Sequence, residues 1–317
     1  MRTRSLTALA LALVVLLPRP AAADLLVISN DTDEVLRYDG ATGAFLGAFV
    51  SAGSGGLDRP SGLAFGTDGN LYVGSFEDQV LRYDGATGTF IDAFVPHGSG
   101  GVDGPSGLSF GPDGNLYTTS LFTGEVLRYD GSTGAFLDVF VPAGSGGLAG
   151  PLHLTFGPDG NLYVADIDTG EVLRYDGATG AFLDVFVAAG SGGLDGPLNP
   201  TFGPDGNLYV GSLRTEQGGV LRYDGSTGEF IDLFAFAGNN PEFGPDDNLY
   251  VGGNNNVLRY DGATGEFIDL FVPQANNGGL DGAFALIFTP EAVPEPGTLA
   301  LLGLGLLGLG VTRRRAN

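Results

Sequence analysis

The chain has 317 residues, no cysteine and a formal net charge of −23 at pH 7. Without cysteine it has neither disulfides nor thiolate chemistry. All 14 basic residues are arginines, and six of them lie in the two terminal segments, so the clustered Lys and Arg of a phosphate-binding surface are missing. We therefore expect no nucleic-acid partner. The 56 glycines and 18 prolines indicate many tight turns between short elements.

The first 23 residues have the layout of a secretory signal peptide. Arg2 and Arg4 precede an apolar run over residues 6–17, and Ala21-Ala22-Ala23 provides a small-residue cleavage site. A membrane anchor is the alternative, but the apolar run is short and ends in Pro18-Arg19-Pro20. We predict a signal peptide over residues 1–23, and hence an exported protein.

One tetrapeptide, Arg-Tyr-Asp-Gly, recurs through the rest of the chain at intervals of 45, 46, 46, 48 and 37 residues. A period of this size indicates one supersecondary unit that buries its apolar face only by stacking on neighbouring copies. The six copies begin at Arg37, Arg82, Arg128, Arg174, Arg222 and Arg259.

Each unit contains four short runs rich in β-branched and aromatic residues, separated by Gly, Asp and Pro turns, which predicts four strands joined by hairpins. We label these strands A to D; in one unit they cover residues 62–65, 70–74, 79–84 and 90–95. The first unit lacks its A strand, and the run at residues 283–288 can supply it. The prediction is an all-β, six-bladed β-propeller of four-stranded antiparallel blades over residues 24–290, closed by the C-terminal strand.

The repeated pattern Pro-x-Gly-Leu-x-Phe-Gly-Pro-Asp-Gly-Asn-Leu-Tyr-Val resembles the NHL-type six-bladed propellers, a group that includes streptogramin-lyase-like proteins. The resemblance covers nearly all of residues 25–290 and implies the fold, which hosts enzymes and binding modules alike. Streptogramin lyases use paired histidines and an acid with a divalent metal. Only His97 and His153 occur here, with no His-x-His or Glu-x-His spacing, which argues against lyase activity.

Residues repeated in every unit are best interpreted as architecture. All eleven tyrosines and six of the arginines belong to the repeat, and five of the six D strands carry an aspartate. An Arg–Asp ladder across strands C and D is possible, and the pairing register decides whether the two side chains share a face.

Departures from the repeat are the candidate site residues, since ligands of propellers usually bind at the channel mouth, between the D–A and B–C loops. His153 is the most distinctive, because glycines 62 and 107 occupy its position in neighbouring copies. It could act as a base or a metal ligand, or simply line the channel. Related six-bladed lactonases bind a metal through Glu, Asn and Asp, a set that Asp166, Asn199 and Asp103 could imitate. The candidate ligand-binding residues are His153, Asn199, Asp166, Asp103, Asp195 and Arg214.

Two Asp-x-Asp stretches carry the hard oxygen ligands that Ca²⁺ or Mg²⁺ prefers. They are Asp31-Thr32-Asp33 and Asp166-Ile167-Asp168, and we take Asp166 and Asp168 as the candidate metal ligands. Neither stretch completes a twelve-residue calcium loop, so solvated acidic loops are the alternative.

The C-terminal segment, residues 291–317, contains Pro294-Glu295-Pro296, an apolar stretch over residues 298–312 and the cluster Arg313-Arg314-Arg315. This order resembles the PEP-CTERM sorting signal of bacterial surface proteins. The resemblance implies an exosortase-type partner, transient anchoring by a transmembrane helix in a Gram-negative-type bacterium, and removal of the tail. A plain C-terminal anchor is the alternative, and both place the body outside the cytoplasmic membrane.

Two functional hypotheses follow. The first is a non-catalytic surface or matrix protein whose loops bind exopolysaccharide or protein partners. The second is a hydrolase or lyase that depends on a divalent metal bound in the channel. The near identity of the units favours the first, because a catalytic site needs asymmetry. The shortened fifth interval, where Gly238-Asn239-Asn240-Pro241 replaces the long D–A loop, predicts a notch beside an insertion at residues 214–219.

Overall fold

The computed structural model of the protein describes residues 23–213 and 218–290. Its 24 strands form six separate four-stranded antiparallel sheets, and the only helices among the described residues are single 3₁₀ turns. The predicted six-bladed propeller is therefore confirmed.

The strands alternate regularly along the chain, and each position in a blade recurs six times. The A strands are β4 (Pro60–Phe65), β8 (Pro105–Phe110), β12 (Pro151–Phe156), β16 (Pro197–Phe202), β20 (Asn240–Phe243) and β24 (Ala283–Phe288). The B strands are β1 (Leu25–Ser29), β5 (Leu71–Ser75), β9 (Leu116–Ser120), β13 (Leu162–Asp166), β17 (Leu208–Ser212) and β21 (Leu249–Gly252). The C strands are β2 (Glu34–Tyr38), β6 (Gln79–Tyr83), β10 (Glu125–Tyr129), β14 (Glu171–Tyr175), β18 (Val220–Tyr223) and β22 (Val257–Tyr260). The D strands are β3 (Phe45–Val50), β7 (Phe90–Val95), β11 (Phe136–Val141), β15 (Phe182–Val187), β19 (Phe230–Ala235) and β23 (Phe267–Val272).

The first blade is completed by the last strand. Its order is β24-β1-β2-β3, with Leu25 opposite Phe288. The amide of Asp24 donates to Thr289 Oγ1 at 2.9 Å, and the amide of Thr289 donates to the Asp24 carbonyl at 2.8 Å. Consecutive A strands pack against one another around the whole ring, including β24 against β4. The ends of the body are thus held together, and the first blade has no unpaired inner edge.

The hydrophobic core lies between blades. Tyr72 of the second blade packs edge-to-face on Phe94 of its own D strand, at 4.8 Å, and on Phe110 of the third blade, at 5.0 Å between ring centroids. The same cluster includes Leu116 and Tyr129 of the third blade, both fully buried. Six clusters of this kind link the six pairs of neighbours. A single blade would expose half of this apolar surface to water.

The repeated arginine pairs with the D-strand aspartate directly opposite. Arg82 donates to both carboxylate oxygens of Asp92, at 2.6 and 3.1 Å, and its guanidinium lies 5.0 Å from the centre of the Phe94 ring. The carboxylate raises the pKa of Arg82. The register thus places both side chains on one face, as the ladder requires. In the first blade, Arg37 bonds Asp24 instead.

The repeated tyrosine of strand C anchors the D–A loop that precedes its blade. The hydroxyl of Tyr83 donates to the Ser54 carbonyl at 2.8 Å, and the loop residue Leu57 is buried. Gly55, at φ 65°, lies directly over the ring of Phe90, so a side chain there would meet the ring. Glycine is therefore required by both its dihedral and its packing.

Residues 1–22 and 291–317 lie outside the described residues, so the predicted signal peptide and C-terminal apolar helix stay predictions. Among the residues that the structure does describe, no helix combines the length and apolar character needed to cross a membrane.

Removing β24 should open the ring. A chain ending at residue 282 leaves β1 unpaired on one side and exposes the apolar surface of β4 and β20, so we expect soluble aggregates in size-exclusion chromatography. A chain ending at Pro290 retains β24 and is the matched control. A monomeric 282-residue product that melts with the control would contradict closure by β24.

Candidate functional site

The six A strands surround a central channel, and the channel contains a cavity of about 130 Å³. Side chains from every A strand except β20 contribute apolar or hydroxyl-bearing walls, and β20 contributes Glu242. Two of the sequence-predicted site residues, His153 and Asn199, line this cavity. Asp166, Asp103 and Asp195 do not.

His153 is buried on β12, and neither of its ring nitrogens has a hydrogen-bond partner among the described residues. Its ring lies 5.3 Å from that of Phe284. Burial lowers the pKa of His153 to about 4, so the imidazole is neutral at pH 7. The glycine at position 107 makes room for it, because a Cβ there would lie 2.8 Å from the His153 Cα.

Glu242 is a channel residue that the sequence reasoning missed. It lies on the short strand β20, one residue before Phe243, where the other A strands carry Ala64, Ser109, Thr155, Thr201 and Ile287. Burial raises the pKa of its carboxyl group to about 8. No hydrogen bond or ion pair of this carboxyl group is present in residues 23–213 and 218–290. Aligning the short A strand β20 with the other A strands on its phenylalanine would have placed Glu242 in the channel from the sequence.

Asn199 is held at φ 44°, in the left-handed region, and its amide nitrogen donates to the Pro241 carbonyl at 3.2 Å. It therefore links the fifth and sixth blades across the channel wall. The channel as a whole offers a neutral imidazole, a protonated carboxyl group and one amide, a set suited to hydrogen bonding. No group of three or more His, Asp or Glu side chains that could hold a metal occurs among the described residues.

Asp166 has a different setting from the one predicted. Its carboxylate accepts four backbone N–H groups, from Ala149 at 2.6 Å, Gly150 at 3.1 Å, and Asp168 and Thr169 at 3.0 Å each. Most other blades have a serine at this position. Its hydroxyl oxygen accepts a hydrogen bond from a backbone amide of the D–A loop, as Ser120 Oγ does from the Asp103 amide at 3.0 Å. The Asp166 carboxylate is thus a structural acceptor that ties the D–A and B–C loops together.

Asp103, Asp195 and Asp168 lie on the face formed by the D–A and B–C loops, which we call the loop face. Asp103 and Asp195 bond the B-strand serines Ser120 and Ser212 through their backbone amides. Asp168 lies close to Gly150, at whose position a Cβ would be 2.7 Å from the carboxylate. Arg214 is outside the described residues. A metal at Asp166 and Asp168 stays a prediction.

A concave groove of about 600 Å³ lies on the loop face, between the fifth and sixth blades. We call it the amide groove, because asparagine and glutamine side chains dominate its lining. It is lined by Leu213, Gly218, Ala237, Gly238, Asn239, Gly253, Asn254, Asn255, Asn256, Leu258 and Gln274. This is where the shortened repeat predicts a notch.

The groove exists because one D–A loop is short. Residues 236–239 connect β19 to β20, whereas residues 96–104 connect β7 to β8. The short loop has neither the buried leucine or valine of the other loops nor the glycine that covers the D-strand phenylalanine in the other blades. Phe267 is consequently 56% exposed, compared with 38% for Phe90, and Leu258 is only partly buried.

Comparison with protein-family models identifies the PEP-CTERM protein-sorting motif at residues 292–315. This motif implies export and C-terminal anchoring in Gram-negative bacteria. No curated protein matches the chain.

Many solved structures share the fold. A chain of the nidogen/laminin complex is 17% identical, with a TM-score of 0.63, and the match covers 86% of this chain and 100% of that one. A streptogramin B lyase is 14% identical, with a TM-score of 0.55, covering 81% and 84%. Virginiamycin B lyase from Staphylococcus aureus is 14% identical, with a TM-score of 0.54, covering 82% and 88%. At these identities the likeness shows the propeller fold alone.

Ionisation of Glu242 and of His153 should make the free energy of unfolding depend on pH in opposite directions. Folded Glu242 retains its proton up to about pH 8, so its stabilisation is complete below about pH 4.5 and is lost as pH rises to 8. Folded His153 resists protonation down to about pH 4, so its stabilisation is present above about pH 6.5 and is lost as pH falls to 4. Between about pH 6.5 and 8, only the Glu242 effect remains.

We expect the Glu242→Gln variant to lose less stability than the wild type between pH 6.5 and 8, by about 2 kcal/mol at most. Urea denaturation at the two pH values measures the difference. A His153→Gln variant is the matched control and should lose as much unfolding free energy between pH 6.5 and 8 as the wild type does. If the wild type and Glu242→Gln lose the same unfolding free energy between pH 6.5 and 8, Glu242 is ionised in the folded protein.

Proposed function

We propose that the protein is an exported, envelope-associated binding module that acts without catalysis and presents its loop face to exopolysaccharide or surface proteins. The observation that carries this proposal is the location of the asymmetry. The blades are close copies, and the largest departure from the repeat is an open groove on the loop face.

The engagement of the repeated polar residues supports the proposal. Five arginines are paired with D-strand aspartates, and the turn aspartates bond neighbouring backbone amides. The tyrosine hydroxyls of strands B and C also have hydrogen-bond partners, such as Asp68 and Ser54. These groups stabilise the ring, which leaves the channel and the loop face for ligands.

Deletion of residues 293–317 should release the protein from the envelope into the soluble fraction, because it removes all but the first residue of the sorting motif at residues 292–315. Cell fractionation with immunodetection measures the distribution. Identical location and processing with and without the segment would refute the role of the tail.

The non-catalytic part is tested by assay of the purified full chain. We expect saturable co-sedimentation with exopolysaccharide or surface proteins isolated from the producing cells, and no lactonase, esterase or lyase turnover with or without Mg²⁺ or Ca²⁺. Turnover that disappears in His153→Ala or Glu242→Gln, with unchanged folding, would establish the enzyme instead. Absence of binding to both fractions would refute the binding function.

A further inference from the structure

We propose that the amide groove is a binding site for an uncharged, hydroxyl-rich glycan chain. The inference rests on the proposed binding function and names the site and the ligand class.

The lining has the hydrogen-bonding character that sugar hydroxyls require. Each side-chain amide offers both donors and an acceptor, as each hydroxyl does. The side-chain amide groups of Asn254, Asn255 and Gln274 have no hydrogen-bond partner among residues 23–213 and 218–290. The side-chain oxygen of Asn256 is buried there and is also unpartnered. The groove therefore holds several polar groups whose bonding capacity the fold leaves unused.

The charge of the described lining favours an uncharged ligand. The chain carries a net charge of −23, yet no Asp, Glu or Arg is present in the described lining. An acidic polysaccharide would be repelled by the surrounding acidic protein and would meet no cation in the part of the lining that the structure describes. An uncharged ligand avoids both costs.

An aromatic surface adjoins the amides. Phe236 is 66% exposed, and its neighbour Ala237 lines both the groove and an apolar hollow that contains Phe267. Leu258 lies in both as well. Sugar rings have an apolar face as well as hydroxyl edges, so an exposed ring beside free amides matches both parts of the ligand.

The backbone that carries the amides is fixed before any ligand binds. The Asn254 carbonyl accepts from the amides of Gly282 and Ala283, at 2.7 and 3.2 Å, and the Asn255 carbonyl accepts from Asn277 Nδ2 at 2.9 Å. A rigid backbone lowers the ordering cost of binding. The volume of about 600 Å³ lies within the range of specific ligand sites.

The test is affinity electrophoresis of the purified full chain in a sugar-free detergent. The gels contain dextran, galactomannan or xyloglucan as uncharged probes, or polygalacturonate as the acidic probe. We expect at least one uncharged probe to retard the wild type. Phe236→Ala and the double variant Asn254→Ala/Gln274→Ala should each weaken that binding about tenfold.

Phe122→Ala is the matched control, because Phe122 is 65% exposed on the loop face and lies outside the groove. The affinity of the Phe122→Ala variant for the uncharged probe should stay within about twofold of that of the wild type. Circular dichroism and melting curves verify that every variant folds. Retardation by polygalacturonate alone, by none of the four probes, or equally in wild type and groove variants would overturn the proposal. Co-sedimentation with native exopolysaccharide that persists in the groove variants would refute the groove site while the binding function stands.

Discussion

The structure depends on the burial of apolar side chains between blades. Tyr72, Phe94 and Phe110 illustrate this, since a tyrosine from one blade contacts phenylalanines from its own blade and the next. No four-stranded sheet of this size can bury such residues alone, because each sheet has two faces and only its neighbours cover them. The ring must therefore close, and β24 must return to the first blade. Every other feature is arranged around that closure.

Closure also determines which residues remain available for function. The repeated Arg–Asp pairs, tyrosine hydroxyls and glycine-rich loops recur because each blade junction needs the same contacts. Asp166 shows how far this extends, since an apparently unusual acid takes the place of the junction serine and bonds four amides. We therefore expect function where the contacts between two blades are incomplete. Between the fifth and sixth blades, the short D–A loop at residues 236–239 leaves them incomplete.

The channel and the amide groove are chemically different. His153 and Glu242 share a narrow cavity of about 130 Å³, where burial keeps the imidazole deprotonated and the carboxyl group protonated at pH 7. The groove is wider, has no charged side chain in its described lining and is bordered by the exposed Phe236. A polymer segment fits the second far better than the first, since the channel is enclosed by six strands. This contrast favours the loop face as the binding surface.

The repeat of Arg-Tyr-Asp-Gly was sufficient to predict the six blades, the missing A strand and its replacement at residues 283–288, because strand periodicity and turn residues are local properties. The shortened interval likewise predicted the groove. Tertiary structure alone decided the rest. Pairing register set the Arg82–Asp92 contact, burial changed the pKa values of His153 and Glu242, and the approach of two loops engaged Asp166. These outcomes depend on which groups meet across the ring and on how much water they lose, which no spacing along one chain encodes directly.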